Sequence, residues 1–397
     1  MRVPAGRAPP ADSVKVRVAE RKVPRVTKAG ATTGDDRREW TVARCRPMLR
    51  HEIRVCLLPV PAPWRFEVIP GSVGAAAVSS GRHGSPPRVS IILVSDYARG
   101  GRTWADRIAA VQAFLADALL DPGGPFEIIV MEPLPASGIA PAVPPALAAL
   151  APRVRVIFDR SHRSSVLKDA GLEHCRGELI AVVEADCVAE PGWLRRLVAA
   201  MDADPALDVA NGRTTYGMHS AMRRVATLLD RGYLERRQDG RHVHVSNNGA
   251  LYRRSVLERY PYPDEASPFV SAELRNIRMR AGGVKIGVEP TALMRHGYGG
   301  IPFMVDLRRN KGFQAARMIA RRSPRHARRS AFRLALAAAK RGAREDLATI
   351  LSLGRQFLRW TDWPLLVLVF LAARLPEFAG ALSVHSPKRF AARTAYR

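Results

Sequence analysis

Apolar positions show no sustained period over residues 1–87, a stretch rich in Pro, Gly, Ala, Arg and Ser. They fall into order at Arg88. Val89-Ser-Ile-Ile-Leu-Val-Ser95 is a β-branched run bounded by Pro-Pro on one side and Asp96 on the other, the pattern of a buried parallel strand. A Gly pair and Thr103, as a cap, lead into a helix with Ile108, Val111 and Leu115 on one face. Further strands are predicted over 126–131, 154–158 and 178–183. They alternate with helices over Ser164–Cys175 and Pro191–Met201, with Pro191 at a helix start, where its missing N–H costs nothing. This alternation predicts an α/β fold, a mostly parallel Rossmann-like sheet flanked by helices, with ligands at the carboxyl ends of the strands. After Asp208 the period changes. A helix around 219–237, an extended segment at 242–252, a helix from Ser271 to Ala281 and a strand Val284–Val288 are followed by Pro290 and His296. Residues 305–360 are helical in tendency and thick with Arg. Three segments are therefore expected: a largely disordered extension over 1–87, a globular domain over 88–304, and a helical C-terminal extension over 305–397.

Charge separates the same three segments. The formal net charge is +27, of which residues 1–88 hold about +10, residues 305–397 about +15 and the middle only about +2. The middle is an ordinary near-neutral domain between two basic flanks suited to an anionic surface, either lipid headgroups or nucleic acid. Cys45, Cys56, Cys175 and Cys187 have no CxxC spacing and read as reduced thiols. The N-terminus lacks the continuous apolar core of a signal peptide. From Trp363 the chain reads WPLLVLVFLAA before Arg374 interrupts it. Such a run is shorter than the ~20 residues of a spanning helix and predicts an interfacial, re-entrant or core segment.

Candidate chemistry gathers at the end of one predicted strand. In Ile180-Ala-Val-Val-Glu-Ala-Asp-Cys187, four apolar residues carry the chain through the core and two carboxylates emerge one residue apart. On a strand that spacing puts Glu184 and Asp186 on the same side. Carboxylates at such a place suit Mg²⁺ or Mn²⁺, which take oxygen ligands and can offset charge on a departing diphosphate. The same residues also suit an acidic turn whose Asp caps the next helix.

The surroundings bear on that choice. Lys168-Asp-Ala-Gly171, Arg176-Gly-Glu-Leu-Ile-Ala181, Glu184-Ala-Asp186 and Glu190-Pro-Gly-Trp-Leu194 together resemble the family 2 glycosyltransferases. So do Asn247-Asn-Gly-Ala-Leu-Tyr-Arg-Arg254, Glu273-Leu-Arg-Asn-Ile-Arg278 and Glu289-Pro-Thr-Ala-Leu-Met-Arg-His296, in that order over roughly 88–300. The resemblance implies a GT-A type fold and transfer of a sugar from a nucleoside-diphosphate donor. It places a divalent cation, Mn or Mg, on Asp186 and His296, with Glu184, Asp96, Glu132, Lys168 and Asp169 toward the donor. Asn247 and Asn248 fall on the acceptor side, and Glu273, the nearest carboxylate to the family's catalytic position, is the candidate catalytic base from a shifted place on its helix. Three departures stand out. Glu132 is followed by Pro133 where the family has paired Asp residues, Glu184 replaces an Asp, and the family's catalytic Glu-Asp pair falls on Val270 and Ser271.

The resemblance implies an inverting, metal-assisted transferase acting on a lipid-linked or cell-envelope glycan. The basic tail and Trp360/Trp363 place it in the cytoplasm, peripheral on an anionic inner membrane face. A tail packed as a helical subdomain with a solvated Arg face is the alternative. The loss of the Glu-Asp pair also leaves open a sugar-nucleotide-binding scaffold of weak activity. Nucleic-acid binding is not expected, because zinc spacing, an RNP motif and an aromatic-interleaved basic stripe are all missing from the sequence.

Overall fold

The computed structural model describes residues 87–94, 104–119, 126–135, 137–236, 244–246, 248–265, 267–297, 299–322, 325 and 330–393. The extension before residue 87, Thr103 and the candidate residues Asp96 and Asn247 lie outside the described residues.

An eight-stranded sheet is built from β1 (Val89–Val94), β2 (Phe126–Pro133), β3 (Val154–Asp159), β4 (Leu179–Glu184), β5 (Cys187–Ala189), β6 (Val209–Thr215), β7 (Ala250–Arg253) and β8 (Ile286–His296), in the order β3-β2-β1-β4-β7-β6-β8-β5. Pairings β1–β2, β1–β4, β2–β3 and β6–β8 are parallel. Strand β7 runs antiparallel to β4 and β6, and β5 antiparallel to β8. The parallel half carries the continuous apolar runs for a physical reason: both of its faces are covered. Val89, Ile91 and Leu93 point into one core with Ile128, Val130, Ala181 and Val183, while Ile92 and Val94 point into the other with Ile129, Met131, Ile180 and Val182.

The first core is closed by α1 (Trp104–Leu119), through Val111 and Phe114, and by α4 (Trp193–Ala203), through Trp193 and Leu197. The second is closed by α3 (Ser164–Glu173), α6 (Arg254–Arg259) and α7 (Pro268–Ala281). A short helix, α2 (Pro145–Ala148), sits in the Pro/Ala-rich connection before β3. Buried Glu127 ties β2 to its neighbours. It accepts from the Ser90 hydroxyl at 2.8 Å and from the Arg176 backbone at 2.6 Å, and pairs with the Arg155 and Arg176 guanidiniums at 3.0 Å. Burial pushes its carboxyl up, but these partners together hold it below the usual range.

Several elements differ from the sequence reading. Strands β5 and β6 and helix α6 were not expected, and β8 continues from the predicted Val284–Val288 strand through Pro290 to His296. Pro191 does not start α4; the helix begins after Gly192, which holds a left-handed φ of 82°. Residue 304, the expected domain end, lies inside α8 (Gly300–Ala320).

The C-terminal residues fold onto this domain. Phe303, Met304 and Leu307 of α8 pack with Tyr216 and with Ala226 of α5 (Ala221–Arg236). Helix α9 (Ala331–Phe357) and a 3-10 turn (Trp360–Asp362) lead to α10 (Trp363–Ala372), α11 (Arg374–Leu382) and α12 (Pro387–Arg393). Arg224 of α5 makes a buried bidentate pair with Asp362 at 2.7 and 2.8 Å. Helices α8 and α11 cross with backbones almost touching: a Cβ at Gly312 would collide with the Glu377 backbone, and one at Gly380 with that of Arg309. Arg308, grouped by sequence with the surface cations, is instead buried, pairing with Asp346 at 2.7 Å and Glu377 at 2.8 Å. Helical period explains this: Arg308 lies one position from Leu307, on the face that α8 turns inward.

Candidate functional site

Strand β4 ends in Glu184, and the turn after it is fixed at both ends. Ala185 N–H donates to Val94 O at 2.9 Å, and the Asp186 carbonyl accepts from Gly297 N–H at 2.7 Å. The next rungs of the β5–β8 ladder set Cys187 opposite His296. This pairing brings together groups from distant parts of the chain. Ligand atoms of Glu184, Asp186, Cys187 and His296 all lie within 4.8 Å of one another.

The four groups are not equivalent. Glu184 is buried and fully engaged: Oε1 faces Lys168 Nζ at 3.2 Å, and Oε2 accepts from Asn248 Nδ2 at 2.8 Å and faces His296 Nε2 at 3.4 Å. Asp186 is partly open, with Oδ2 at 3.5 Å from His296 Nδ1. His296 Nδ1 also lies 2.7 Å from the Gly297 carbonyl. Both ring nitrogens therefore face oxygen acceptors, which suits an imidazolium or a ring sharing a cation with those carboxylates. Burial pulls the His296 pKa down, yet Asp186 and the hydrogen-bonded Glu184 prevail and raise it. The ring is seated edge-on against Tyr216, centroids 5.4 Å apart, and beside Phe303 at 5.7 Å.

Two carboxylates and an imidazole fit a divalent cation of the Mg or Mn kind by donor chemistry. Asp186 is the most open of the three, its side chain 14% exposed against 7% for Glu184 and 3% for His296. Glu184, already balanced by Lys168, faces His296 Nε2 and orients the ring. Cys187 is buried, with Sγ at 3.9 Å from Asp186 Oδ1, and a soft thiol adds little for a hard cation.

A cleft opens beside this cluster. Glu184, Asn248 and His296 line it together with Glu273 of α7, whose Oε2 lies 3.2 Å from His244 Nδ1. The His244 segment is pinned from two sides: Ser246 N–H donates to Asn211 Oδ1 at 3.0 Å, and Asn276 Nδ2 to the Val245 carbonyl at 3.3 Å. Asp230 and Arg231 of α5 and Lys311 of α8 complete the wall. Asp230 accepts from Tyr216 Oη at 2.5 Å and pairs with Lys311 at 2.6 Å and Arg231 at 3.0 Å. Despite complete burial, these cations and the phenol hold the Asp230 carboxyl far below its ordinary value.

The sequence candidates thus divide. Glu184, Asp186, His296, Asn248 and Lys168 converge, and Glu273 shares their cleft. Asn248 holds Glu184, and Lys168 neutralises it. Glu132 is the penultimate residue of β2, two strands from β4, and is locked in a buried bidentate pair with Arg107 of α1. Asp169 accepts from the Tyr262 backbone at 2.9 Å and fixes the loop after α6. Val270 packs on Phe313 and Phe390, and Ser271 Oγ donates to the Pro263 carbonyl at 2.6 Å, so both serve the core. His244, Asp230, Arg231 and Lys311 carried no motif, and only the fold brings them to the cleft.

Residues 107–261 match the family model described as Glycosyl transferase family 2. No curated protein sequence matches the chain. Among solved structures, the chain is similar to a mannosyltransferase, PcManGT from Pyrobaculum calidifontis, in complex with GDP-Man and Mn²⁺. That likeness has 14% identity and a TM-score of 0.49, covering 77% of this chain and 88% of that one. It is also similar to TarS from S. aureus, at 13% identity and a TM-score of 0.39, covering 76% and 91% of the two chains.

Proposed function

From the premise that residues 107–261 belong to glycosyltransferase family 2, we propose that the protein moves a sugar from a nucleoside-diphosphate donor to a hydroxyl acceptor, with a divalent cation held by Asp186 and His296. The observation that carries this reading is the meeting of Glu184, Asp186 and His296 at one strand end, beside a cleft lined by Glu273. When bound, the cation supplies a positive charge for the diphosphate leaving group. This chain's own residues do the rest. Lys168 and Asn248 fix Glu184, Glu184 fixes His296, and Arg231, beside Asn248, and Lys311 add cationic character to the cleft.

Glu273 takes the proton from the acceptor hydroxyl as that oxygen forms its bond to the anomeric carbon and the carbon–diphosphate bond breaks, which inverts the configuration. His244, 3.2 Å from the carboxylate, positions it. The acceptor class we assign is a lipid-linked or cell-envelope glycan at the cytoplasmic face of a membrane. Helices α9 and α11 support this, because they turn Arg341, Glu345 and Glu377 to the cleft and apolar residues outward.

A panel of nucleotide sugars, assayed for release of nucleoside diphosphate with and without Mn²⁺, tests the reading; metal-independent release at the same rate would sink it. The burial of Val270 and Ser271 favours a second reading, a scaffold that binds a sugar nucleotide without turnover. Metal-dependent donor binding with no release from any donor would select it.

A further inference from the structure

The C-terminal helices carry charge and apolar surface in a pattern the transfer chemistry does not use. Within residues 351–393 the acidic side chains are Asp362 and Glu377, and both are buried. Asp362 is held by Arg224, and Glu377 by Arg308 and Arg374. The basic residues Arg355, Arg359, Lys388, Arg389 and Arg393 are all exposed. Every acid in this segment is thus neutralised inside, and the surface it presents is cationic.

The same segment exposes an apolar stripe. Trp360 is 85% exposed, Leu368 65%, Leu371 59% and Leu375 77%, with Val367 beside them. At 100° per residue these five positions fall within one stripe about 100° wide, while Leu366, Ala373, Glu377 and Gly380 lie on the opposite side and are buried. Trp360–Leu382 is long and apolar enough by composition to cross a bilayer, and only 28% of its apolar window is buried. Yet α11 is fastened to α8 by the Gly312/Gly380 crossing and by the Arg308–Glu377 pair. A helix so fastened along its inner side cannot leave the domain to span a membrane without breaking a buried ion pair. Its outer side is free to lie flat on one.

We propose that the outer face of the 3-10 turn, α10 and α11 seats the protein on an anionic lipid bilayer, with Trp360, Val367, Leu368, Leu371 and Leu375 among the upper acyl chains and Arg355 and Arg359 at the headgroups. A Trp at the edge of an apolar stripe, flanked by Arg, fits the headgroup boundary, where its ring is half in hydrocarbon and half in water. The proposal extends the membrane-side placement of the enzyme and rests on that reading for the acceptor alone. Its test reads lipid binding, whereas donor turnover reads the cleft, so either can fail without the other.

The full chain is mixed with vesicles of phosphatidylcholine alone, or of phosphatidylcholine with phosphatidylglycerol, and followed by co-sedimentation and by quenching of Trp fluorescence with brominated acyl chains. The wild type is expected to bind the anionic vesicles and to be quenched. Leu368→Glu with Leu371→Glu should lower the affinity roughly tenfold or more and abolish quenching, and Arg355→Gln with Arg359→Gln should weaken binding to anionic vesicles by a similar factor. All four side chains are exposed, so unfolding midpoints should match the wild type. Failure of the wild type to bind anionic vesicles overturns the proposal. So does equal binding by the Leu variant, or a wild-type dimer that the Leu variant converts to monomer, which would assign the stripe to a second copy of the chain.

Discussion

His244 Nδ1 and Glu273 Oε2 lie 3.2 Å apart on the wall of the cleft, which both residues line. The pair sets the direction of the carboxylate that would receive a proton. Glu273→Gln is expected to leave nucleoside-diphosphate binding nearly intact and to slow transfer by roughly 10²–10⁴-fold. His244→Phe should lower kcat by a smaller factor, about tenfold, because it disorders the base without removing it. Isothermal titration for binding and single-turnover kinetics for transfer separate the two effects. A Glu273→Gln variant turning over at the wild-type rate would move the base elsewhere.

Asp186→Asn should abolish metal-dependent binding of a nucleoside diphosphate, since an amide cannot offset the cation's charge. Lys168→Met should act differently. It leaves Glu184 buried without its counter-charge and should lower stability by about 3–5 kcal/mol. Denaturant melts distinguish them, with Asp186→Asn unfolding near the wild-type midpoint. Chelation by EDTA should reproduce the Asp186→Asn binding defect and be reversed by Mn²⁺.

Glu127 gives the fold a defined acid sensitivity. Its carboxyl is held below the usual range by Ser90, Arg176 and Arg155, which overcome the upward push of burial. A depressed folded-state pKa stabilises fully above the unfolded value of about 4.3 and is lost as pH falls through the folded value. Glu127→Gln should therefore cost about 1.5–3 kcal/mol at pH 7, and the difference from wild type should shrink steadily below about pH 4. Urea titrations at several pH values check this; a gap that stays constant into the acid range would show that the charge plays no part.

Arg308 is the most consequential cation of the C-terminal segment. Arg308→Met removes one partner from two buried acids and should destabilise the whole domain by about 3–5 kcal/mol, whereas Arg355→Gln on the surface should fall within about 0.5 kcal/mol of wild type. Differential scanning calorimetry should give one cooperative transition in both. A second, independent transition for residues after 300 would show a separable tail.

The two-sided apolar runs of β1, β2 and β4 were legible because burial on both faces leaves an unmistakable composition, as in Ser90-Ile-Ile-Leu-Val94. The Glu184–Asp186 pair and His296 were legible through ordered motifs. Strand β6 escaped because Val-Ala-Asn-Gly-Arg-Thr-Thr carries small and polar residues, although four of its first five positions are buried or nearly so. Asn211 there spends its amide on the segment bearing His244, which no local pattern announces. Arg308 misled because charge alone reads as surface, and only the facing Asp346 and Glu377 reverse that. Glu132 had the right place at a strand end, but its partner Arg107 lies on a helix whose register the sequence left loose.

The Cys187–His296 rung has a consequence for how the protein matures. Its two sides are separated by about 110 residues of chain, so the contact is among the most non-local in the fold. During synthesis, Glu184 and Asp186 emerge from the ribosome long before the imidazole that completes their set. Until β8 docks, the growing polypeptide holds the two carboxylates without the imidazole. On the proposed reading, ion binding by Asp186 and His296 therefore requires β8 to be docked, and a fragment ending before residue 296 is expected to bind Mn²⁺ no better than the Asp186→Asn variant.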